Sequence, residues 1–144
     1  MVNPDTVKLL KECNSGIKMG ISAIEEVLPS VKDEKFKKIL NESVKEHKYL
    51  GEKTARCLAD AGDDGKEPHV IAKGMAWFKT NMMLAIEASD EVAADILTDG
   101  CHMGIKSLNR YLNEYREADD EAKKLTEDII EIEENLAQDI KKYL

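Results

Sequence analysis

Several things are missing from this chain of 144 residues, and each absence excludes something. No apolar run approaches the ~20 residues of a membrane span. Period-2 alternation is absent and β-branched runs are short, so no strand is predicted. There is no basic surplus. The net charge is −8, which disfavours nucleic acid and anionic membrane surfaces, because both need a basic patch. No glycine-rich phosphate loop is present, and no loop motif gathers Ser, His and an acid into a nucleophilic triad. Cys13, Cys57 and Cys101 are an odd number without a Cys-x-x-Cys pair. They read as reduced thiols of a cytoplasmic protein rather than a disulfide framework. The opening residues Met1-Val2-Asn3-Pro4-Asp5 lack a basic and an apolar leader segment, so no export signal is expected. Aromatics are few, with two Phe and one Trp.

What is present is charge and helical periodicity. Charged residues make up 35% and hydrophobic residues 42%, enough for one core with solvated outer faces. A single domain over 1–144 is expected. Asn3 caps a first predicted helix over about 4–28, with Pro4 in the first-turn slot. Its apolar row runs Leu10, Cys13, Ile17, Ile21, Ile24 and Leu28. Ser30 and Asp33 resemble a capping box for a helix over about 31–61, with Phe36, Leu40, Ser43, His47, Leu50 and Thr54 in its row. The stretch Gly62-Asp63-Asp64-Gly65-Lys66-Glu67-Pro68 reads as a loop. A shorter helix over about 69–88 follows, with a wide apolar face that includes Ile71, Met75, Trp77 and Phe78. Ser89-Asp90 and Asp119-Asp120 then cap helices over about 90–117 and 120–143. The inward residues of the last helix are read as Ala122, Leu125, Ile129, Ile132, Leu136, Ile140 and Tyr143.

Short links at 29–31 and 117–119 imply two antiparallel hairpins. The intervening segment is long enough, as a helix, to travel back along the bundle. The predicted fold is therefore all-α: a ferritin-like antiparallel four-helix bundle with a helical crossover connection.

Three stretches carry a resemblance. They are Gly65-Lys66-Glu67-Pro68, then Gly74-Met75-Ala76-Trp77-Phe78-Lys79, then Ile96-Leu97 through Leu108-Asn109-Arg110-Tyr111. In order and spacing they resemble a bacterial ferritin-like family with no assigned activity. Two departures stand out: Trp77 is displaced by two from the family position, and Met103-Gly104 stands where Gly-Glu is usual. The resemblance implies a ferritin-like fold and no particular reaction.

Iron-binding bundles take two irons on a Glu from each of two helices and a Glu-x-x-His from each of the other two. Hard iron needs the carboxylate charge, and i, i+3 spacing puts both ligands on the inner face. Here His47 has Val44 three residues before it. Gly104 replaces the Glu of the family pattern. Ile129, Ile132 and Leu136 fill the last helix, with Glu133 placed at the edge of its face. One ligand of the set, His47, remains inward on this reading. Asp99 and His102 imitate an Asp-x-x-His pair, but the helical wheel turns both away from Leu97, Gly104 and Leu108. No di-iron centre and no resident metal or cofactor is expected. The candidates for a soft-metal site such as zinc are Cys13, His47 and Cys101, set against their reading as small core residues.

The functional expectation is a non-enzymatic bundle without di-iron that acts through self-association or a protein partner. The face of 69–88, with Trp77 and Met83, is the expected contact for a homodimer or partner, as an alternative to simply covering the bundle. A different class, a metal-binding or iron-handling oxidoreductase with a degenerate or Cys/His site, is the alternative.

Overall fold

The computed structural model describes residues 3–63 and 89–144. Among them are four α-helices and no strand: α1 (Pro4–Val27), α2 (Glu34–Asp60), α3 (Asp90–Glu114) and α4 (Asp120–Ile140). Short 3₁₀ turns, Leu28–Ser30 and Lys141–Tyr143, follow α1 and α4. The helix predicted over 69–88, with its Trp77 and Met83 contact face, lies outside the described residues.

Side-chain oxygens fix most helix starts. Asn3 accepts from Asp5 N, Asp33 from Phe36 N and Asp119 from Ala122 N, each satisfying a backbone donor of a first turn. The start of α2 is later than the sequence suggested. Asp33, not Ser30, holds the cap, while Pro29 lies in the 3₁₀ turn and Val31 is buried in extended backbone. Ser89 stands at the N-cap of α3 without a side-chain cap bond. Its neighbour Asp90 is used elsewhere: the two carboxylate oxygens accept from Lys32 N at 2.8 Å and Asp33 N at 2.9 Å. The end of α3 comes at Glu114, earlier than expected, with Tyr115 leaving helical geometry.

These bonds also define the two ends of the bundle. At one end Asp90 joins the starts of α2 and α3, and Tyr143 after α4 stacks on Phe36, with ring centroids 4.4 Å apart. At the other end Asp119 N donates to Thr6 Oγ1 and Glu117 N to Asp5, tying the α3–α4 link to the start of α1. Lys11 pairs with Asp63 there, just past the end of α2. The helices α2 and α3 thus begin at the same end. Asp63 and Ser89 lie at opposite ends, separated by the ~40 Å length of α2.

Buried apolar residues form two clusters stacked along the axis. One holds Ala23, Ile24, Val27, Phe36, Leu40, Leu97, Cys101, Leu136 and Ile140. The other holds Leu9, Leu10, Cys13, Ile17, Leu50, Leu58, Leu108, Leu125 and Ile129. Between the two clusters lies a layer with His47 of α2 and Glu133 of α4 as its polar side chains and Gly20 of α1 and Gly104 of α3 facing them, and that layer is the site.

Candidate functional site

The centre of the layer is His47 on α2, fully buried, paired with Glu133 on α4, 8% exposed. Their contact, Nε2 to Oε1, is 2.6 Å. The other ring nitrogen, Nδ1, is 2.7 Å from the Ser43 carbonyl oxygen. A carbonyl can only accept, so Nδ1 carries a proton. The short contact on the other side needs one more proton, either on Nε2 facing a carboxylate or on Glu133 facing a bare nitrogen. Either arrangement leaves the pair neutral overall, which makes its burial tolerable. Burial pushes the His47 pKa down, but the hydrogen bond and charge of Glu133, with the Ser43 carbonyl, outweigh it and hold it above the ordinary histidine value. His47 therefore holds its proton more firmly than a free imidazole.

Glycines make room for this pair. A Cβ on Gly20 would lie 2.8 Å from His47 Nε2 and 2.9 Å from Cδ2, so no other residue fits there without displacing the ring. A Cβ on Gly104 would come within 3.8 Å of Glu133 Oε2. Glu133 of α4 thus reaches across the bundle to the face of α3 at Gly104, where an added Cβ would meet it in ordinary contact.

Glu133 corrects the sequence reading, which put it at the edge of the α4 face and Ile132 inside it. Glu133 is buried and Ile132 only half-buried. The signal was available. Glu133 is i+4 from Ile129 and i−3 from Leu136, so it shares their stripe, continued by Thr126 and Ile140. Val44, three residues before His47, is buried in the first apolar cluster, while Asp99 and His102 are exposed, as the wheel indicated.

The proposed Cys13, His47 and Cys101 grouping is not assembled. Cys13 lies in the second apolar cluster, with its Sγ 3.0 Å from Thr126 Oγ1. Thr126 spends its own hydrogen on the Ala122 carbonyl, so the thiol is the donor to Thr126. Cys101 lies in the first apolar cluster and donates to Glu133. Burial pushes the Cys13 thiol up to about 12, and burial together with Glu133 pushes Cys101 far up as well. Among the described residues, no three His, Cys, Asp or Glu side chains are grouped so that they could hold a metal ion.

A cavity of about 440 Å³ opens between α1 and α3 and reaches this layer. Its walls are mostly apolar or small: Gly16, Met19, Gly20, Ala23 and Ile24 from α1, Leu97, Gly100, Met103, Gly104 and Leu108 from α3. Ile129 and Leu136 of α4 contribute too, and His47, Glu133 and Cys101 supply polar atoms deep inside. Nothing in the sequence pattern foretold this void, since it arises from how far the small-residue faces of α1 and α3 stand apart.

Chemically the layer is closed on itself. Both nitrogens of His47 are engaged, so the ring offers no lone pair to a molecule in the cavity. That arrangement suits a polar contact point within an apolar chamber better than proton transfer to a substrate. Among the described residues no helix is long and apolar enough to cross a membrane. No protein-family model, curated protein or solved structure matches the chain.

Proposed function

We propose that this protein is a small-molecule binding bundle of ferritin-like type that holds a compact, mainly apolar ligand in the cavity between α1 and α3. The ferritin-like part of the reading is supported by the common starting end of α2 and α3, the relative sense that a ferritin-like connectivity has. The family resemblance of Gly74–Lys79 and Ile96–Tyr111 points the same way.

The ferritin-type metal centre does not fit the residues described. Of the required donors, His47 and Glu133 are inward, and they bind each other. Gly104 and Val44 carry no donor side chain. A chamber with that donor set is better matched to an organic guest than to two hard cations.

The observation that carries the proposal is the cavity itself. Protein cores are close-packed, with few voids larger than a water molecule. A chamber of about 440 Å³ with apolar walls and a few convergent polar atoms has the size and lining of a ligand site. The test is a thermal-shift and calorimetric screen of small apolar compounds on the intact protein, repeated on Gly16→Phe. A Cβ on Gly16 meets nothing within 4 Å, so a ring there can enter the chamber. Binding to the wild type that disappears in a folded Gly16→Phe supports the proposal. Failure of the whole panel, or binding that survives the filled cavity, overturns it. Elemental analysis of the same preparation, purified without chelator, addresses the metal alternative.

A further inference from the structure

The lining of the cavity is unbalanced in charge. Among the described residues its ionisable side chains are Glu12, His47 and Glu133, besides the thiol and phenol of Cys101 and Tyr111, and neither Lys nor Arg is among them. His47 and Glu133 cancel each other. Glu12 on α1 is left as the net charge of the chamber, half-buried at the cavity wall.

Glu12 stands across the gap between the helices from Tyr111 of α3, the two lining the same cavity wall and each shifting the other's pKa. Tyr111 is itself stacked on Tyr115, with centroids 6.1 Å apart and planes 12° from parallel. A carboxylate and a phenol that share one cavity wall can attract an alkylammonium, through charge and through the ring quadrupole. Glu114 adds further negative potential nearby. A carboxylate or phosphate guest would meet that potential with no cation among the described lining residues to answer it.

We infer that the ligand of this chamber is an amphiphilic amine, its ammonium against Glu12 and Tyr111 and its apolar body lying over Gly16 and Gly20. This rests on the reading of the cavity as a binding site and adds the chemical class. Burial raises the Glu12 pKa, with Tyr111 opposing the effect and Glu114 adding to it. A half-buried carboxylate of that kind gains from a cationic partner.

The experiment is isothermal titration of the full chain with three probes that share one chain length: n-octylamine, n-octanol and octanoate. The amine is expected to bind about tenfold more tightly than the alcohol, and octanoate more weakly than either. In Glu12→Gln the affinity for octylamine should fall to the level of octanol, with a melting transition recorded to show that the variant is folded. Tyr111→Phe, which keeps the ring, should lose part of the preference. Equal binding of the three probes, or a preference for octanoate, overturns the amine assignment and leaves the cavity reading standing. Binding of none of them, together with an empty apolar screen, overturns both.

Discussion

Gly20 of α1 lies directly against the imidazole of His47 on α2: a Cβ at position 20 would sit 2.8 Å from Nε2, the atom that contacts Glu133. The ring is fully buried and held at both nitrogens, so it cannot simply swing aside. Gly20→Ala is therefore expected to break the pair and destabilise the fold by roughly 2–4 kcal/mol, despite the better helix propensity of Ala. Gly16→Ala, one turn away with open space around its Cβ, should instead raise stability by up to about 1 kcal/mol. Urea denaturation of both variants checks the contrast; similar effects of the two would contradict the geometry.

The mutual dependence of His47 and Glu133 can be measured in a double-mutant cycle. Either Leu substitution alone strands a buried polar partner and should cost on the order of 3 kcal/mol. The double Leu variant should cost clearly less than the sum of the singles, since it removes both groups at once. Glu133→Gln should be mild, because its amide can donate to the bare Nε2 of a neutral His47. Additive losses in the cycle would show that the two side chains do not depend on each other.

The pair also predicts a pH dependence. The folded pKa of His47 is raised, so the native state keeps a proton that the unfolded chain loses near pH 6.5. The stability gained is fully present below about pH 6.5 and is lost as pH rises through the folded value. Between about pH 6.5 and 8 the wild-type unfolding free energy should decline, and in Glu133→Gln this slope should largely vanish. Above that window the thiols add their own decline. Unfolded cysteines ionise from about pH 8.5, while burial holds Cys13 protonated up to about 12. A wild-type curve that stays flat or climbs above pH 6.5 would count against the raised pKa of His47.

Thiol labelling separates the three cysteines. Cys13 and Cys101 are buried, whereas Cys57 is half-exposed beside Glu121. Burial and then Glu121 push the Cys57 thiol up to about 11. In the folded protein at neutral pH, a disulfide-exchange reagent should label Cys57 slowly and leave the other two untouched until denaturant is added. Rapid labelling of two or three thiols would contradict the burial of Cys13 and Cys101.

Much of the fold was legible from periodicity. The row Phe36, Leu40, Ser43, His47, Leu50 and Thr54 is buried as written, because α2 keeps an uninterrupted spacing of three and four. Where the reading slipped, it did so on charge and on caps. Glu133 sits on the α4 stripe but carries a charge, and its burial makes sense only once His47 is known to stand opposite. Asp33 and Ser30 both suit a cap, and the choice was made by Asp90 from another helix, whose carboxylate occupies Lys32 N and Asp33 N. The cavity had no signature at all. Gly16, Gly20, Gly100 and Gly104 could equally have allowed α1 and α3 to close together.

His47 belongs to the hairpin of α1 and α2, and Glu133 to that of α3 and α4, 86 residues apart in sequence. Neither hairpin can neutralise its own polar residue, so the shared proton finds its place only when the two halves meet. A slip of one helical turn between them would bury a lone charge against Leu or Ile, at a cost of several kcal/mol. The pair thus acts as a proofreading mark for assembly. Refolding of a His47→Leu, Glu133→Leu chain should show it, by reaching a mixture of docked registers where the native chain reaches one.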